Sequence, residues 1–406
     1  MKLSRRSVLT AAAAASMPLI RPARAQGASV KIGVLNDQSG PYMNTGGLTS
    51  VACVKQAIED FGAHGFKVEV VSADHQNKPD LGVSITRQWF DRDGVDLLID
   101  VPTSSVALAV QSVAKEKNKV YINSGAASSA LTGEQCSPNF IHWTYDTYML
   151  GKSTGGAMVK AGGDSWYFLT ADYAFGKQLQ ADTSGFIKDA KGSVKGASLY
   201  PFPGTTDFSS FLVQAQSSGA KVLGLANAGA DTVNAIKQAN EFGLNNSMKI
   251  AALLMFITDV HALGLDVAKG LVLTESFYWD LNDRTRAFTK RVLPKTPNNY
   301  PNMDHAGCYS GTLHYLKTVA AMGVAEAKKD GVATVNHMKA MEVDDDCFGK
   351  TKIRVDGRNL VPSYLFAVKK PAESKGPWDY YKLLATTPGD EAFRPLSEGH
   401  CPFVKV

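Results

Sequence analysis

The sequence predicts an α/β protein built from two doubly wound, Rossmann-like lobes, and three observations support this. Apolar strand-like runs alternate with amphipathic helical runs, which is the pattern of parallel sheets covered by helices on both faces. The alternation restarts near Ser165 with no flexible linker before it. The chain of 406 residues also exceeds the size at which a single hydrophobic core keeps growing.

The predicted elements follow one another regularly along the chain. In the first lobe the strands are VKIGVL, VEVV, VDLLIDV and VYIN, separated by helices at 49–61, 81–90 and 106–117. In the second lobe the strands are WYFLT, ASLYPF, VLGLA, IAALL and LVLTESF, with helices at 177–188, 208–217 and 232–242. Helices at 284–293, 306–322 and 335–341 follow, and TKIRVDGRNLVPSYLFAVKK predicts two strands joined at Asp-Gly. The aromatic segment FIHWTYDTY between the lobes predicts a packed hinge crossing.

Residues 1–25 are typical of an export signal, with a basic head, a short apolar run and Ala-Arg-Ala before Gln26. The pair Arg5-Arg6 suggests the twin-arginine route, although Val8 stands where Phe is common. Five of the 43 basic residues lie in this segment, so the remaining 38 balance the 38 acidic residues. The mature chain is therefore expected in the periplasm, and its neutral charge gives no support for a nucleic-acid or membrane-surface partner.

After the signal, no apolar run approaches about 18 residues, so we expect a soluble mature protein without membrane insertion. Five cysteines in an exported chain permit one or two disulfides with at least one thiol left over. Cys136 and Cys401 lie in loops and are the preferred pair, whereas Cys53 and Cys308 lie in apolar helical segments. No C-x-x-C motif indicates a zinc ribbon or a thioredoxin-like site.

Motifs of cofactor and metal chemistry are missing from the sequence. DTYMLGKST has Asp146 where a phosphate-binding loop needs its first Gly, and no G-x-G-x-x-G follows a strand. There is no H-E-x-x-H, the eight histidines are scattered, no G-x-S-x-G occurs, and DDDC lacks the spacing of a calcium loop. We therefore expect no cofactor, no metal and no enzymatic activity, with hydrolysis by an unrecognised arrangement left open.

Three polar loops lie at the carboxyl ends of predicted first-lobe strands, where doubly wound sheets bind ligands. These loops are NDQSGPYMNTGG, VPTSSVA and INSGAASSALTG, each before a helix. The helix N-termini direct free N–H groups and partial positive charge at the cleft, which suits a carboxylate without Arg or Lys. Any one loop is equally well explained by Ser and Thr capping a helix. Three such loops on one sheet edge favour a ligand site.

Together these features resemble the periplasmic solute-binding proteins of ABC importers in the branched-chain amino acid family. The motifs are SGPYMNTGG, AIEDFG, INSGAASSALTG, DYAFGK, AGADTVNAIKQA and GCYSGTLHYLKTVAAMG, and they span the mature chain. The resemblance implies a type I periplasmic binding fold, with three hinge crossings near Tyr145, Ser276 and Asp346. It implies lobe 1 at 28–145 and 276–345, lobe 2 at 146–275 and 346–376, and a tail at 377–406 packing near the hinge. It further implies a monomer that closes on its solute by hinge motion and delivers it to a membrane permease.

The resemblance also implies a set of ligand-binding residues, in which Thr103 or Ser104 and the backbone around 125–127 bind a carboxylate. The full set is Ser39, Tyr42, Thr103, Ser104, Gly125, Ala126, Ala127, Ser128, Tyr173, Phe175, Asn227, Leu254, Met255 and Phe256. The chain departs from amino acid binders at Ala127, where Thr is expected. It departs again at Leu254, Met255 and Phe256, where the acidic partner of the ligand ammonium is expected.

A buried ammonium without a carboxylate partner costs several kcal/mol or more. The Leu-Met-Phe turn instead suits a flat apolar body, with Met filling gaps around a ring. We therefore expect an aromatic carboxylate without an α-amino group, of the benzoate, phenylacetate or cinnamate type. Asp172 or Asp304 could supply the missing charge, which leaves branched-chain or other hydrophobic amino acids open. A ligand-sensing regulator and a secreted enzyme are alternatives from other classes, although the chain shows neither a DNA-binding helix-turn-helix nor a catalytic spacing.

Overall fold

The computed structural model describes residues 28–296 and 299–405. The predicted export signal, residues 1–25, lies outside this range. None of the helices in the described part of the chain combines the length and the apolar character that a bilayer crossing requires.

The first lobe contains a sheet of five parallel strands. They are β1 (Ser29–Asn36), β2 (Lys67–Asp74), β3 (Leu97–Asp100), β4 (Val120–Asn123) and β5 (Phe140–His142), in the order β2-β1-β3-β4-β5. The connecting helices are α1 (Gly47–Phe61), α2 (Pro79–Gln88) and α3 (Ser104–Glu116). β3 and β4 are buried along their whole length, whereas the edge strand β2 is half exposed. Central strands covered on both faces explain the continuous apolar runs in the sequence.

The second lobe repeats this architecture. Its parallel strands are β6 (Ser165–Ala171), β7 (Ser193–Tyr200), β8 (Val222–Ala226) and β9 (Lys249–Ala252), in the order β7-β6-β8-β9. The helices are α4 (Thr147–Leu150), α5 (Gly156–Lys160), α6 (Ala174–Asp189), α7 (Ser209–Ser217), α8 (Ala230–Glu241), α9 (Ile257–Leu263) and α10 (Leu265–Ala268), with a π-helical turn at Gly151–Gly155 between α4 and α5. The two sheets confirm the predicted fold class of two doubly wound lobes.

The rest of the chain passes between the lobes. β10 (Val272–Glu275) is followed by α11 (Asp283–Val292), α12 (Met303–Met322), α13 (Val324–Lys329) and α14 (Gly331–Ala340), and then by the hairpin β11 (Val343–Asp345) and β12 (Gly349–Thr351). β13 (Ser363–Val368) and β14 (Tyr381–Thr387) join β10 in an antiparallel sheet in the order β10-β13-β14, and α15 (Gly389–Ala392) follows. α12 packs on α1, which places it in the first lobe.

The third crossing lies later in the chain than the sequence suggested. Arg358 forms a parallel bridge with His142 of the first sheet, and Ile353 forms an antiparallel bridge with Asn359. The predicted Asp-Gly turn is thus present, but its second long strand, β13, pairs with β10 and β14 instead of completing a hairpin. The backbone therefore leaves the first lobe after Asn359 and not near Asp346.

The C-terminal tail connects the two lobes a further time. Its strand β14 belongs to the antiparallel sheet beside the second lobe, and the chain then returns to the first lobe. There the guanidinium of Arg394 donates to the carbonyl of Ser129 at 3.0 Å. Cys136 and Cys401, the pair that the sequence favoured, form a disulfide with a Cα–Cα distance of 5.6 Å. The tail is thus covalently fixed to the first lobe, and Cys53, Cys308 and Cys347 are free and buried.

Removing this disulfide tests its contribution to stability. The bond joins cysteines that are 265 residues apart in sequence, so it restricts the unfolded chain strongly. We expect the double variant Cys136→Ser/Cys401→Ser to lose about 2–5 kcal/mol of stability and to melt at a lower temperature than the oxidised wild type. Reducing agent should lower the wild-type melting temperature and leave that of the variant unchanged. Equal melting temperatures for the variant and the oxidised wild type would contradict this prediction.

Candidate ligand-binding site between the lobes

A small cavity lies between the two lobes. Its walls are formed by Tyr42, Thr45, Pro102, Gly125, Ala127, Tyr145, Tyr173, Phe175, Ala228, Leu254 and Phe256. Each of these residues lies in the loop or first helical turn that follows a parallel strand of one of the two sheets. The carboxyl ends of both sheets therefore face each other across the cavity, which is where open α/β sheets bind ligands.

The two lobes touch directly beside the cavity. The hydroxyl oxygens of Tyr42 and Tyr173 lie 2.6 Å apart. The ring of Phe202 stacks on both tyrosines, with centroid distances of 5.3 Å to Tyr42 and 4.4 Å to Tyr173. The amide of Ala230 in the second lobe donates to the carbonyl of Pro41 in the first at 3.0 Å. These contacts describe a closed arrangement of the lobes.

The polar groups in the first-lobe wall are partly used by the protein itself. The carbonyl of Gly125 accepts from the hydroxyl of Tyr145 at 2.5 Å, and the carbonyl of Ala127 accepts from the amide of Thr147 at 2.8 Å. The hydroxyl of Thr45 donates to the carbonyl of Tyr42 at 3.0 Å. In the described part of the chain, the backbone N–H groups of Gly125 and Ala127 form no hydrogen bond within the protein, so both are available to a ligand as donors.

The tyrosine pair offers one further donor. Burial raises the pKa of both the Tyr42 and the Tyr173 hydroxyl, so each keeps its proton near neutral pH. One proton forms the bond between the two oxygens, and the other is free for a ligand. The walls thus combine a small number of hydrogen-bond donors with predominantly apolar and aromatic surface.

None of the eleven side chains in the cavity wall carries a charge at neutral pH. Asp172, one of the two acids considered as a partner for a ligand ammonium, is half exposed and forms an ion pair with Lys177 at 2.7 Å. The other acid, Asp304, is fully buried directly behind Gly125. A Cβ added to Gly125 would lie 2.8 Å from Asp304 Oδ2, so the carboxyl group touches the rear of the wall.

Asp304 belongs to a buried cluster with Asp100 and Cys308, whose oxygen and sulfur atoms lie within 4.8 Å of one another. Asp100 accepts from Asn36 Nδ2 at 2.9 Å. Among the described residues no donor satisfies either oxygen of Asp304. Burial raises the pKa of the Cys308 thiol well above its usual value, so the thiol stays protonated. The cluster therefore consists of a pair of buried carboxyl groups beside a neutral thiol.

The backbone next to this pair is strained. Asp100 and Val101 end β3 with φ angles of 83° and 61°, in the left-handed region that β-branched residues avoid. Such conformations cost about 1–3 kcal/mol each and persist when the surroundings fix them. Here the amide of Val101 donates to the carbonyl of Leu35 at 2.9 Å, and Pro102 follows immediately in the cavity wall. The turn positions both the Asp100 carboxyl and the wall.

The structure brings half of the fourteen predicted ligand-binding residues to the cavity. The residues in the wall are Tyr42, Gly125, Ala127, Tyr173, Phe175, Leu254 and Phe256. The residues outside the wall are Ser39, Thr103, Ser104, Ala126, Ser128, Asn227 and Met255. Four wall residues were not predicted: Thr45, Pro102, Tyr145 and Ala228. Thr45 and Pro102 lie in the polar loops singled out in the sequence, and Tyr145 lies at the predicted hinge crossing.

The polar residues outside the wall bind other parts of the protein. Ser39 Oγ donates to Asp74 at 2.6 Å on the surface, and Thr103 donates to Asn77. Ser104 Oγ accepts from the amide of Ser128 at 3.2 Å. These hydroxyls therefore hold neighbouring segments of the first lobe together, and Thr103, the residue before α3, forms no capping hydrogen bond with its side chain.

Three further predicted residues lie outside the cavity wall. Asn227 accepts from Thr232 at 2.7 Å, and the carbonyl of Ala126 accepts from Asn123 at 2.7 Å. Met255 is fully buried in the hydrophobic core of the second lobe. The chain at Phe256 is extended, so successive side chains alternate in direction and Met255 faces away from the side that Leu254 and Phe256 share. The sequence suggested that Met255 fills gaps around a ligand, but its side chain lies in the core instead.

Two doubly wound lobes closed over a cavity at the carboxyl ends of their strands define a bilobed ligand-binding protein of the type I periplasmic binding fold. The family model described as "Periplasmic binding protein" matches residues 29–376, and the chain belongs to this family.

Solved structures of the family are similar over almost the whole chain. A periplasmic binding protein from Burkholderia mallei is 49% identical, with 93% of this chain and 100% of that chain covered and a TM-score of 0.89. A branched chain amino acid ABC transporter periplasmic ligand-binding protein from Burkholderia xenovorans LB400 is 39% identical, with 92% and 99% covered and a TM-score of 0.79. A solute-binding protein of an ABC transporter from R. palustris, in complex with benzoate, is 21% identical, with 89% and 97% covered and a TM-score of 0.77.

The contact between Gly229 and Pro41 allows a test of lobe closure. Gly229 has a φ of 59°, and a Cβ there would lie 2.5 Å from the Pro41 carbonyl oxygen. We expect Gly229→Ala to oppose closure and to weaken the binding of any solute that stabilises the wild type by about tenfold or more. In small-angle X-ray scattering with that solute, the variant should keep a larger radius of gyration.

Gly219→Ala is the matched control for this variant. Gly219 has a φ of 62°, lies in the same lobe and has no atom within 4 Å of an added Cβ. It therefore carries a similar backbone strain without the contact between lobes. If Gly229→Ala became as compact as Gly219→Ala with solute, closure would not depend on this contact.

Proposed function

We propose that the protein is the periplasmic receptor of an ABC importer for a small aromatic carboxylate without an α-amino group, of the benzoate, phenylacetate or cinnamate type. The solute binds between the lobes, and the closed protein delivers it to the membrane permease. The observation that carries this proposal is the cavity wall, in which five of the eleven residues are aromatic and no side chain is charged.

The composition of the cavity wall supports an aromatic body. Five aromatic side chains surround the cavity: Tyr42, Tyr145, Tyr173, Phe175 and Phe256. Aromatic rings contribute large apolar contact areas and edge-to-face or offset contacts, which favour a flat solute.

The donors at the wall support a carboxylate. The free tyrosine proton and the N–H groups of Gly125 and Ala127 lie on the first-lobe side and at the interface of the lobes. Hydrogen bonds from such donors to a carboxylate are charge-assisted and are stronger than neutral ones. The relative from R. palustris is in complex with benzoate, which shows a member of the same fold holding such a solute.

An amino acid is the second candidate solute, and one observation favours it. Asp304 is a buried carboxyl with no donor among the described residues, directly behind Gly125. The relative from Burkholderia xenovorans LB400 is named for branched-chain amino acid transport. The backbone of Gly125 separates Asp304 from the cavity, however, and the wall itself offers an ammonium no carboxylate partner.

We further propose that the mature protein acts in the periplasm as a monomer, without a cofactor and without catalysis. The membership of the family supports this location and a partnership with a permease. Export by the twin-arginine route rests on Arg5 and Arg6 alone.

A matched pair of solutes tests the proposed specificity. 3-Phenylpropionate and L-phenylalanine differ only in the α-amino group. We expect 3-phenylpropionate, benzoate or cinnamate to raise the melting temperature of the mature protein, because a ligand that binds the folded state alone stabilises it. L-Phenylalanine should have no comparable effect, since its ammonium finds no partner. Stabilisation by leucine, valine or phenylalanine, and none by the acids, would refute the proposed solute class.

A charge introduced at Leu254 tests the position of the cavity. Leu254→Glu places a carboxylate in the apolar wall and should weaken binding of the aromatic acid by about tenfold or more, through repulsion and desolvation. Leu254→Gln has the same shape without the charge and should lose less affinity in isothermal titration calorimetry. Met255→Leu changes the neighbouring core residue and should bind like the wild type. Equal affinities for the Glu and Gln variants would exclude Leu254 from the solute's surroundings.

A further inference from the structure

The rear of the first-lobe wall contains two buried carboxyl groups that the proposed binding does not use directly. Asp100 ends β3, and Asp304 lies in the first turn of α12, and both side chains are fully buried. Asp304 Oδ2 lies 2.8 Å from the position of a Cβ on Gly125 and 3.3 Å from that of a Cβ on Gly46. Gly125, a residue of the cavity wall, therefore meets this carboxyl group with no side chain between them.

In the part of the chain that the structure describes, the surroundings of the pair contain no cation to balance two negative charges. The titratable groups facing it are the thiols of Cys53 on α1 and Cys308 on α12, and the hydroxyls of Tyr121 on β4 and Tyr145 at the hinge. All four are neutral when protonated, and burial raises the pKa of each, so they stay protonated.

The neighbouring histidine is neutral as well. Its Nδ1 accepts from the amide of Asn302 at 3.1 Å, which leaves Nε2 to donate to the carbonyl of Gly46 at 3.0 Å. Burial lowers the pKa of His305 to about 3. The remaining neighbours are neutral donors: Asn36 and Ser124 donate to Asp100, and Ser124 also contacts Cys308.

Two carboxylates this close in a buried site cannot both be ionised without a cation. Burial and the mutual proximity of the two groups raise the pKa of Asp304 well above its usual value, and burial also raises that of Asp100. The two groups titrate as a pair that retains at least one proton near neutral pH.

We propose that Asp304 and Asp100 share a proton and that this proton makes solute binding pH-dependent, the protonated pair being the form compatible with an anion at the Gly125 wall. The inference rests on the proposed function, since it requires the solute's carboxylate at that wall. At a pH where the ligand-free pair has released its shared proton, the pair therefore takes up a proton when the anion binds. Asp304 acts as a positioning and specificity-determining residue, because its ionised form repels the anion that its protonated form admits.

The direction of the pH effect follows from linkage. Loss of the shared proton at high pH adds a negative charge behind Gly125, so the affinity for an anionic solute falls as the pH rises. Above about pH 4 the unfolded chain has released a proton that the folded protein still holds. The pair therefore lowers the free energy of unfolding as the pH rises from about 4 towards the raised pKa of the folded pair. The second effect needs no solute, and it can be measured separately.

Asp304→Asn is the decisive variant, because the amide imitates the protonated carboxyl. Calorimetric titration with 3-phenylpropionate, which is ionised throughout, from about pH 6 to pH 9 should show wild-type affinity falling by about tenfold or more. The wild type should take up a proton on binding, as measured in buffers of different ionisation enthalpy. Asp304→Asn should bind with constant affinity and without proton uptake. Asp100→Asn should behave in the same way and serves where Asp304→Asn does not fold.

Asp345→Asn is the matched control. Asp345 is another buried first-lobe acid whose pKa is raised by burial, and it accepts from Ser310 and from the amide of Cys347, outside the cavity wall. Its substitution should change the pH dependence of stability but leave the pH dependence of solute binding as in the wild type. A loss of proton-linked binding in Asp345→Asn would overturn the assignment to the Asp100–Asp304 pair.

Other outcomes overturn the proposal in distinguishable ways. If the affinities for benzoate and for 3-phenylpropionate do not change with pH and no proton is taken up, the proposed linkage is wrong and the proposed function stands. If no aromatic acid binds at any pH, the proposed function fails. The shared proton can then be tested without a ligand, by comparing the melting temperatures of the wild type and Asp304→Asn. If the wild-type value falls relative to that of the variant as the pH rises, the shared proton is supported, and a difference that does not change with pH refutes it. A bound cation would show itself in another way. A chelator would lower the wild-type melting temperature, added Zn²⁺ or Mg²⁺ would restore it, and Asp304→Asn would show neither change; the pair would then hold a cation instead of a proton. If L-phenylalanine binds to the wild type but not to Asp304→Asn, the pair is the counterion of an ammonium.

Discussion

A buried carboxyl group at the hinge, that of Glu275, connects the two walls of the cavity. It accepts from the amide of Ile257 at 2.9 Å, from the amide of Met303 at 3.2 Å and from the hydroxyl of Tyr381 at 2.8 Å. Ile257 begins α9 of the second lobe directly after Phe256, and Met303 begins α12 of the first lobe directly before Asp304. Burial raises the pKa of Glu275 to about 8, although these donors and the two helix N-termini favour its charged form. The Glu275 side chain thus fixes the positions of Phe256 in the apolar wall, Asp304 in the carboxyl pair and Tyr381 in the tail relative to one another.

The two lobes contribute different chemistry to the cavity that this hinge aligns. The first lobe supplies backbone N–H groups at Gly125 and Ala127, and the second supplies Phe175, Leu254 and Phe256. An anionic head on one side and an apolar ring on the other therefore match the asymmetry of the walls. Because the tyrosine hydroxyls meet where the lobes touch, a solute that bridges the walls also stabilises the closed arrangement.

The sequence predicted the architecture well, because a buried parallel strand requires a continuous apolar run, and such runs alternate regularly with amphipathic helical segments in this chain. It also led to the disulfide partners Cys136 and Cys401, which lie in loops. The sequence failed where the direction of a side chain decides the outcome. Met255 faces the core because the backbone there is extended, and the hydroxyl of Ser104 binds the amide of Ser128 in a neighbouring loop. The Asp100–Asp304 pair had no sequence signal, because its members are far apart in the chain and the strained turn that presents Asp100 has no glycine to mark it.

The carboxyl pair and the uncharged wall are two parts of one electrostatic solution. A site without Lys or Arg has only dipoles with which to hold an anion, and such dipoles do not outweigh two full negative charges nearby in a medium of low polarity. The same burial that makes the cavity apolar raises the pKa of Asp304, so the pair carries one negative charge instead of two at neutral pH. Protonated Asp304 behind Gly125 leaves the N–H groups of Gly125 and Ala127 to determine which end of the solute faces the first lobe. The charge behind the wall is thus conditional on a proton, and the proton is held by the folding of two distant acids into one site.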